Sequence, residues 1–272
     1  MKKCLIAFSL LFLIACNNNN NTEDNSSNTT TTNAGAAAPQ TLNVNVIGVY
    51  PHDTGSFTEG LEIYKGKLYE SAGDYENSKL SIADITTGKI EQKHGMGSPD
   101  IFGEGITIFK DKIYQLTWVS HIVYVYDINN IDKPIKTFTW PHEGWGQTHD
   151  STELIVSDGS AYLYLVNPDD YSIKSTIEVT DNYGPVTDVN ELEYVDGYIY
   201  ANVWQTNYIL KIDPSTGHVV GKALVPDLLK QFAPDQVSDR TDVLNGIAYD
   251  HATQKMYITG KRWPKLFEVT FN

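Results

Sequence analysis

Cysteine is almost missing from this 272-residue chain: Cys4 and Cys16 are the only two, both within the first sixteen positions. Everything after them lacks a thiol nucleophile, a disulfide and a Cys-ligated metal. Basic residues are scarce as well, 20 against 34 acidic, for a net charge of −14. That excludes the basic face with which a nucleic-acid binder displaces phosphate counterions. The seven histidines are scattered without metal-ligand spacing, and neither G-x-S-x-G nor a phosphate loop occurs. No metal ion and no cofactor is called for. What the chain does have is 41% hydrophobic residues, five Trp and seventeen Tyr, enough to bury a core and too many aromatics for a disordered chain.

The first forty residues read as an export and tethering segment. Lys2 and Lys3 precede an apolar stretch from Leu5 to Ile14 that is too short to span a bilayer. Leu13-Ile14-Ala15-Cys16 resembles the bacterial lipoprotein cleavage box, which implies a signal peptide over 1–15 and a lipidated Cys16. The expected location is the bacterial cell envelope, anchored to a membrane through that lipid. Residues 16–40 are rich in Asn, Thr, Ser and Ala with almost no large apolar side chain, the composition of a flexible tether. Without residues 1–15 the net charge is −16, so anionic lipid headgroups should not attract the protein itself.

From residue 41 to 272 the pattern is all-β. Runs such as Val123-Tyr-Val-Tyr and Tyr198-Ile-Tyr-Ala-Asn-Val alternate with turn signals such as Asp196-Gly and Asp213-Pro-Ser-Thr-Gly. The one helical stretch expected is short, around Pro226 to Phe232. Five segments share an opening: Glu59-Gly-Leu-Glu, Glu104-Gly-Ile-Thr, Trp145-Gly-Gln-Thr, Asn190-Glu-Leu-Glu and Asn245-Gly-Ile-Ala, spaced by 45, 41, 45 and 55 residues. A period of 40–50 residues carrying about four strands is the mark of β-propeller blades, here five. A two-sheet sandwich leaves the period unexplained. The last repeat offers three strands, and Leu42 to Tyr50 is a strand without a blade. It is expected to complete the last blade from outside and latch the ring.

In a propeller the innermost strands line the channel. The openings therefore place Glu59, Glu104, Trp145, Asn190 and Asn245 on one ring at its mouth. The ends of the second strands place Gly73, Trp118, Asp158, Trp204 and Lys261 on another. Single Trp residues in propellers commonly pack between blades. Indoles, carboxylates and a Lys repeated at two ring levels describe instead an aromatic cup with a few acids, suited to a small ligand bearing an amine.

Over about residues 44–271 the sequence resembles the glutamine cyclotransferase family of plants and bacteria. The likeness rests on Phe57-Thr-Glu-Gly-Leu, Phe102-Gly-Glu-Gly-Ile-Thr, Tyr114-Gln-Leu-Thr-Trp, Gly144-Trp-Gly, Ser157-Asp-Gly-Ser, Asn190-Glu-Leu-Glu-Tyr, Asn202-Val-Trp-Gln-Thr, Leu244-Asn-Gly-Ile-Ala and Gly260-Lys-Arg-Trp. It implies a five-bladed propeller that converts the N-terminal glutamine of a peptide or protein to pyroglutamate with release of ammonia; separately, a monomer is expected. It implies aromatic walls at Phe57, Phe102, Trp118, Trp145 and Trp204, a proton-handling acid at Glu104, and polar contacts at Asn190 and Lys261. Glu59 stands where plant members have Gln, so two carboxylates share the site and the division of roles between them is open. Asn245 completes the expected substrate-binding set. Two other readings stay open on residues alone. One is a propeller lactonase holding a metal ion on the oxygens of Glu59, Glu104, Asn190 and Asn245, against which Trp145 in the same ring is the objection. The other is a lipoprotein that captures peptide N-termini without turnover.

Overall fold

The computed structural model describes residues 37–272. The expected signal peptide, Cys16 and most of the tether lie outside the described residues. From residue 40 the chain builds five radially arranged sheets, and each repeat opening is the innermost strand of one blade: Phe57–Tyr64, Gly103–Phe109, Gln147–His149, Val189–Val195 and Leu244–Asp250. In blades 1 to 4 three antiparallel strands follow outward in chain order. The inner strands are buried along nearly their whole length, whereas outer ones such as Ile90–Gly95 face solvent. Covering on both faces means that even the polar side chains of the inner strands, such as Glu62, Thr107 and Glu193, are buried and hydrogen-bonded.

The ring is held by five apolar clusters, one at each junction between neighbouring blades. Tyr69, Leu80 and Ile82 of blade 1 meet Ile106, Ile113 and Tyr126 of blade 2. Leu61, Ile63 and Leu68 of blade 1 close the circle against Ala248, Tyr257 and Leu266 of blade 5. Trp140 packs between blades 2 and 3 and Trp263 between blades 4 and 5, so two of the five tryptophans do have the packing role.

The latch is present and has two parts. β1 (Gln40–Leu42), which begins at the last residue of the expected tether, lies parallel on the outer edge of blade 4 through Gln40–Gly221 and Leu42–Ala223. β2 (Val44–Pro51) then pairs antiparallel with Lys265–Phe271 as the outermost strand of blade 5. Asn43 sits between them and exchanges backbone hydrogen bonds with Asn272 at 2.8 and 3.1 Å. One extended segment thus covers two edges that would otherwise be bare. The expected short helix is α1 (Leu228–Phe232), in the connection from blade 4 to blade 5; the Asp227 carboxylate caps it by accepting from Lys230 N at 3.0 Å.

Candidate active site

The repeat openings are where the inner strands depart from regular pairing. Register shifts fall between Thr58 and Gly60, Gly103 and Ile106, Val189 and Leu192, and Leu244 and Ile247. Those bulges carry Glu59, Glu104, Asn190 and Asn245. In blade 3 the strand starts only at Gln147, just after Trp145. A bulge re-aims a side chain that a regular strand would send into the blade, and here four bulges at one level turn four polar side chains toward the axis.

The following position needs glycine in four blades, in three because the backbones converge and at Gly246 because its φ is +114°. A Cβ on Gly60 would stand 2.4 Å from Ile106 N, and one on Gly146 would stand 2.0 Å from Asn190 O. Blade 4 has Glu191 at this position instead. Fully buried, its carboxyl accepts from Leu61 N at 3.1 Å and Ile247 N at 2.8 Å. It ties blade 4 to blades 1 and 5 beneath the mouth, and burial holds it well above the ordinary carboxylate range.

Above that plug lies a cavity of ≈ 260 Å³ lined by Phe57, Glu59, Phe102, Glu104, Trp118, Trp145, Asn190, Trp204 and Lys261. Nine of the ten residues expected at the substrate come together there. The tenth, Asn245, is 1% exposed and does not reach the cavity. It lies one layer below, donating to Thr58 O at 2.9 Å and Glu59 Oε2 at 3.2 Å and accepting from Asn190 Nδ2 at 3.1 Å. The bulge gives it no opening, because those three partners already consume its amide.

The second ring divides likewise. Trp118, Trp204 and Lys261 face the cavity; Gly73 and Asp158 do not. A side chain at position 73 would overlap the Phe102 ring, 2.1 Å away. Asp158 turns aside to accept from Tyr164 Oη at 2.8 Å and Ser160 N at 3.0 Å.

The walls brace one another edge to face: Phe57 on Phe102 at 6.1 Å, Phe102 on Trp118 at 5.9 Å, Trp145 on Trp204 at 5.6 Å between centroids. Glu143, which the sequence reading did not single out, fixes two of them. Its Oε2 accepts from Trp118 Nε1 at 2.7 Å and from Trp145 Nε1 at 3.1 Å. Its place just before Gly144-Trp145-Gly146 was the available signal.

The two cavity carboxyls differ in their surroundings. Glu59 is 2% exposed and receives the Lys261 ammonium at 2.7 Å; that ammonium also lies 4.6 Å from the centre of the Phe57 ring. Glu104 is 6% exposed, and among the described residues none donates a hydrogen bond to it. Burial lifts both. Glu59 goes up to about 7, with the Lys261 charge and hydrogen bond opposing and Asp242 adding a little. Glu104 goes well above the carboxylate range, through burial first and then the nearby Glu59, with Lys261 opposing and Glu143 adding to the rise. Both carboxyls thus hold a proton more tightly than a free carboxylic acid, and of the two only Glu59 has an ammonium in direct contact to offset this. A divalent cation on this ring would have to displace an ammonium already paired with Glu59, and among the described residues no group of three His, Cys, Asp or Glu is placed to hold a metal.

The sequence profile of the glutamine cyclotransferase family matches residues 15–271. The chain belongs to that family. A curated member of it, the glutaminyl-peptide cyclotransferase of Arabidopsis thaliana, is 36% identical over 229 residues, 83% of this chain and 70% of the plant protein. The crystal structure of the glutaminyl cyclase of Myxococcus xanthus superposes with a TM-score of 0.78 at 32% identity, covering 86% of this chain and 98% of that one. The family's propeller is therefore present nearly end to end, and the aromatic cavity stands at its mouth.

Proposed function

We propose that this protein is a glutaminyl-peptide cyclotransferase whose chemistry runs in the cavity of Glu104, Glu59 and Lys261. Membership of the family and the likeness to the plant and Myxococcus enzymes support the activity. The observation that carries the mechanism is Glu104: a buried carboxyl with raised proton affinity and, among the described residues, no hydrogen-bond partner, facing an aromatic cavity beside a second, ion-paired carboxyl.

The substrate's own α-amine attacks its γ-carboxamide carbon, so the protein's first task is to hold the side chain folded back. Phe57, Phe102 and the three indoles do so by shape. An α-amine of pKa 7.7–8.0 is only about a tenth free base at neutral pH. An ammonium beside ionised Glu104 and a free amine beside protonated Glu104 contain the same protons, and the raised affinity of Glu104 favours the second, reactive form. Attack forms the C–N bond and pushes the carbonyl electrons onto oxygen, where an N–H of Lys261 not used by Glu59 stabilises the charge. Glu104 gives its proton to the leaving nitrogen and takes one from the new ring nitrogen. The carbonyl then re-forms, the old C–N bond breaks, and ammonia departs with Glu104 protonated again.

The deciding experiment is incubation with a Gln-initiated peptide. Loss of mass equal to one ammonia is expected, and none from a peptide with Gln in second position. Release from both, or from neither, would overturn the reading. We also place the enzyme in the bacterial cell envelope, lipidated at Cys16, on the strength of Leu13-Ile14-Ala15-Cys16. Cys16→Ala should move the protein from the membrane to the soluble fraction; unchanged partitioning would refute the anchor.

A further inference from the structure

We infer that Glu143 is a positioning residue for the reaction: by its reach rather than its charge, its carboxyl holds the indoles of Trp118 and Trp145 in the wall that keeps the substrate's glutamine side chain folded back. The inference rests on the cyclotransferase reading and adds to it the group on which the shape of the cavity depends.

Three indoles converge on Glu143. Its Oε2 accepts from Trp118 Nε1 at 2.7 Å and from Trp145 Nε1 at 3.1 Å, while its backbone carbonyl accepts from Trp140 Nε1 at 3.1 Å. Trp140 is fully buried between blades 2 and 3, and the next residue, Gly144, donates its N–H to Trp118 O at 3.1 Å. The carboxyl therefore has a fixed root, and both of its donors are rings of the cavity wall.

Those two rings come from different blades. Trp118 follows the second strand of blade 2 (Lys112–Thr117), and Trp145 precedes the inner strand of blade 3 (Gln147–His149). Each is only half-buried, so packing alone does not settle its rotamer. An indole nitrogen is a donor only and makes one directional bond; both rings spend that bond on the same oxygen. Releasing it frees two of the three indoles at once. Attack by the α-amine needs the reacting atoms about 3–3.5 Å apart, and a misplacement of about 1 Å costs on the order of 10²-fold.

Glu143 also adds to the proton affinity of Glu104, so its loss could act through reach or through charge. Two substitutions separate these. Glu143→Gln keeps the length without the charge, and its amide oxygen has two lone pairs for two indoles. Glu143→Asp keeps the charge and draws the carboxyl back by one methylene.

With a Gln-initiated peptide, kcat of Glu143→Asp should fall by about 10²-fold, with KM raised no more than about threefold because the rings still offer their surface. Glu143→Gln should keep kcat within about threefold of wild type, the cost of bonds that lose their charge assistance. A merely structural role would lower the melting temperature and raise KM along with the loss of kcat. Indole N–H exchange, read by NMR on the free enzymes, is independent of turnover. The signals of Trp118 and Trp145 should exchange markedly faster in Glu143→Asp than in wild type or Glu143→Gln. Those of Trp140 and Trp263, which donate to backbone carbonyls, should not change. Glu143 is exposed, so both variants should melt near wild type; Glu143→Ala takes the place of the aspartate variant where that one does not fold. A glutamine variant as damaged as the aspartate one would mean that charge, not reach, is what Glu143 supplies. An aspartate variant with wild-type kcat would mean that the wall needs no brace. Either result overturns the inference and leaves the cyclotransferase intact, whereas failure of the wild type to turn over the peptide would remove both.

Discussion

Glu104→Gln should lower kcat by roughly 10²–10⁴-fold, the range typical of a lost general acid–base, with KM changed much less. Gln keeps the size of the side chain but cannot carry a proton from the ring nitrogen to the leaving nitrogen. Because none of the described residues donates to Glu104, the substitution orphans no partner among them, and melting should stay near the wild-type value. Stability should if anything rise slightly at higher pH. A buried acid with a raised native pKa binds its proton more tightly folded than unfolded, so its contribution is full below the ordinary carboxylate pKa and is lost as pH rises through the raised one; Gln has no such loss. Glu59→Gln is the control. It should cost activity less, since Glu59 pairs with Lys261 and moves no proton in the proposed chemistry. Steady-state rates at one pH on proteins of matched melting behaviour decide the matter. If Glu59→Gln is the more damaging the two roles are exchanged, and if both remain within a few-fold of wild type the proposed chemistry is not carried by these carboxyls.

The number of blades and the residues at the mouth were legible because a propeller writes its geometry as a period. Once Glu59, Glu104, Trp145, Asn190 and Asn245 are aligned, their common ring follows from the fold without reference to chemistry. The exceptions have local causes. Asn245 was placed with its ring, but a hydrogen-bond network through Thr58 O and Glu59 keeps it beneath the surface, and alignment reports position rather than the partners of an amide. Glu143 lies in a connection between blades, outside the repeating unit, so periodicity says nothing about it. The splitting of the latch between blades 4 and 5 turns on Asn43 pairing with Asn272, a contact between the two ends of the fold.

Glu191 is a different lesson, since the signal was present and unused. Four repeats carry Gly directly after the mouth residue and one carries Glu. The structure shows the reason: three backbones approach too closely for a side chain, Gly246 holds a φ of +114°, and the fifth position spans the gap with a carboxyl bonded to two neighbouring blades. A departure from a repeat at its most constrained position marked the plug of the channel.

Lys261→Met should be the most disruptive single change to the cavity floor, and its effect should depend on pH. The ammonium is the close counter-charge of Glu59, at 2.7 Å with both side chains nearly sealed from water. Removing one partner of such a pair typically costs about 3–5 kcal/mol because the other is left as an uncompensated buried charge. Glu59 can escape that cost by taking a proton, which raises its native pKa further while its unfolded value stays near 4.3. The sign then follows: a raised native pKa gives stability that is full below the unfolded pKa and declines as pH rises toward and through the native one. Melting of Lys261→Met should therefore come close to wild type near pH 4–5 and fall progressively behind it up to pH 8 and above. Activity should drop by about 10²-fold or more at every pH, the order of one lost oxyanion donor. The double variant Lys261→Met/Glu59→Gln separates the two effects. With both charges of the pair gone it should regain most of the stability at high pH and none of the activity. A melting difference independent of pH, or a double variant no more stable than the single, would mean that the Glu59–Lys261 pair does not bear the charge balance of the site.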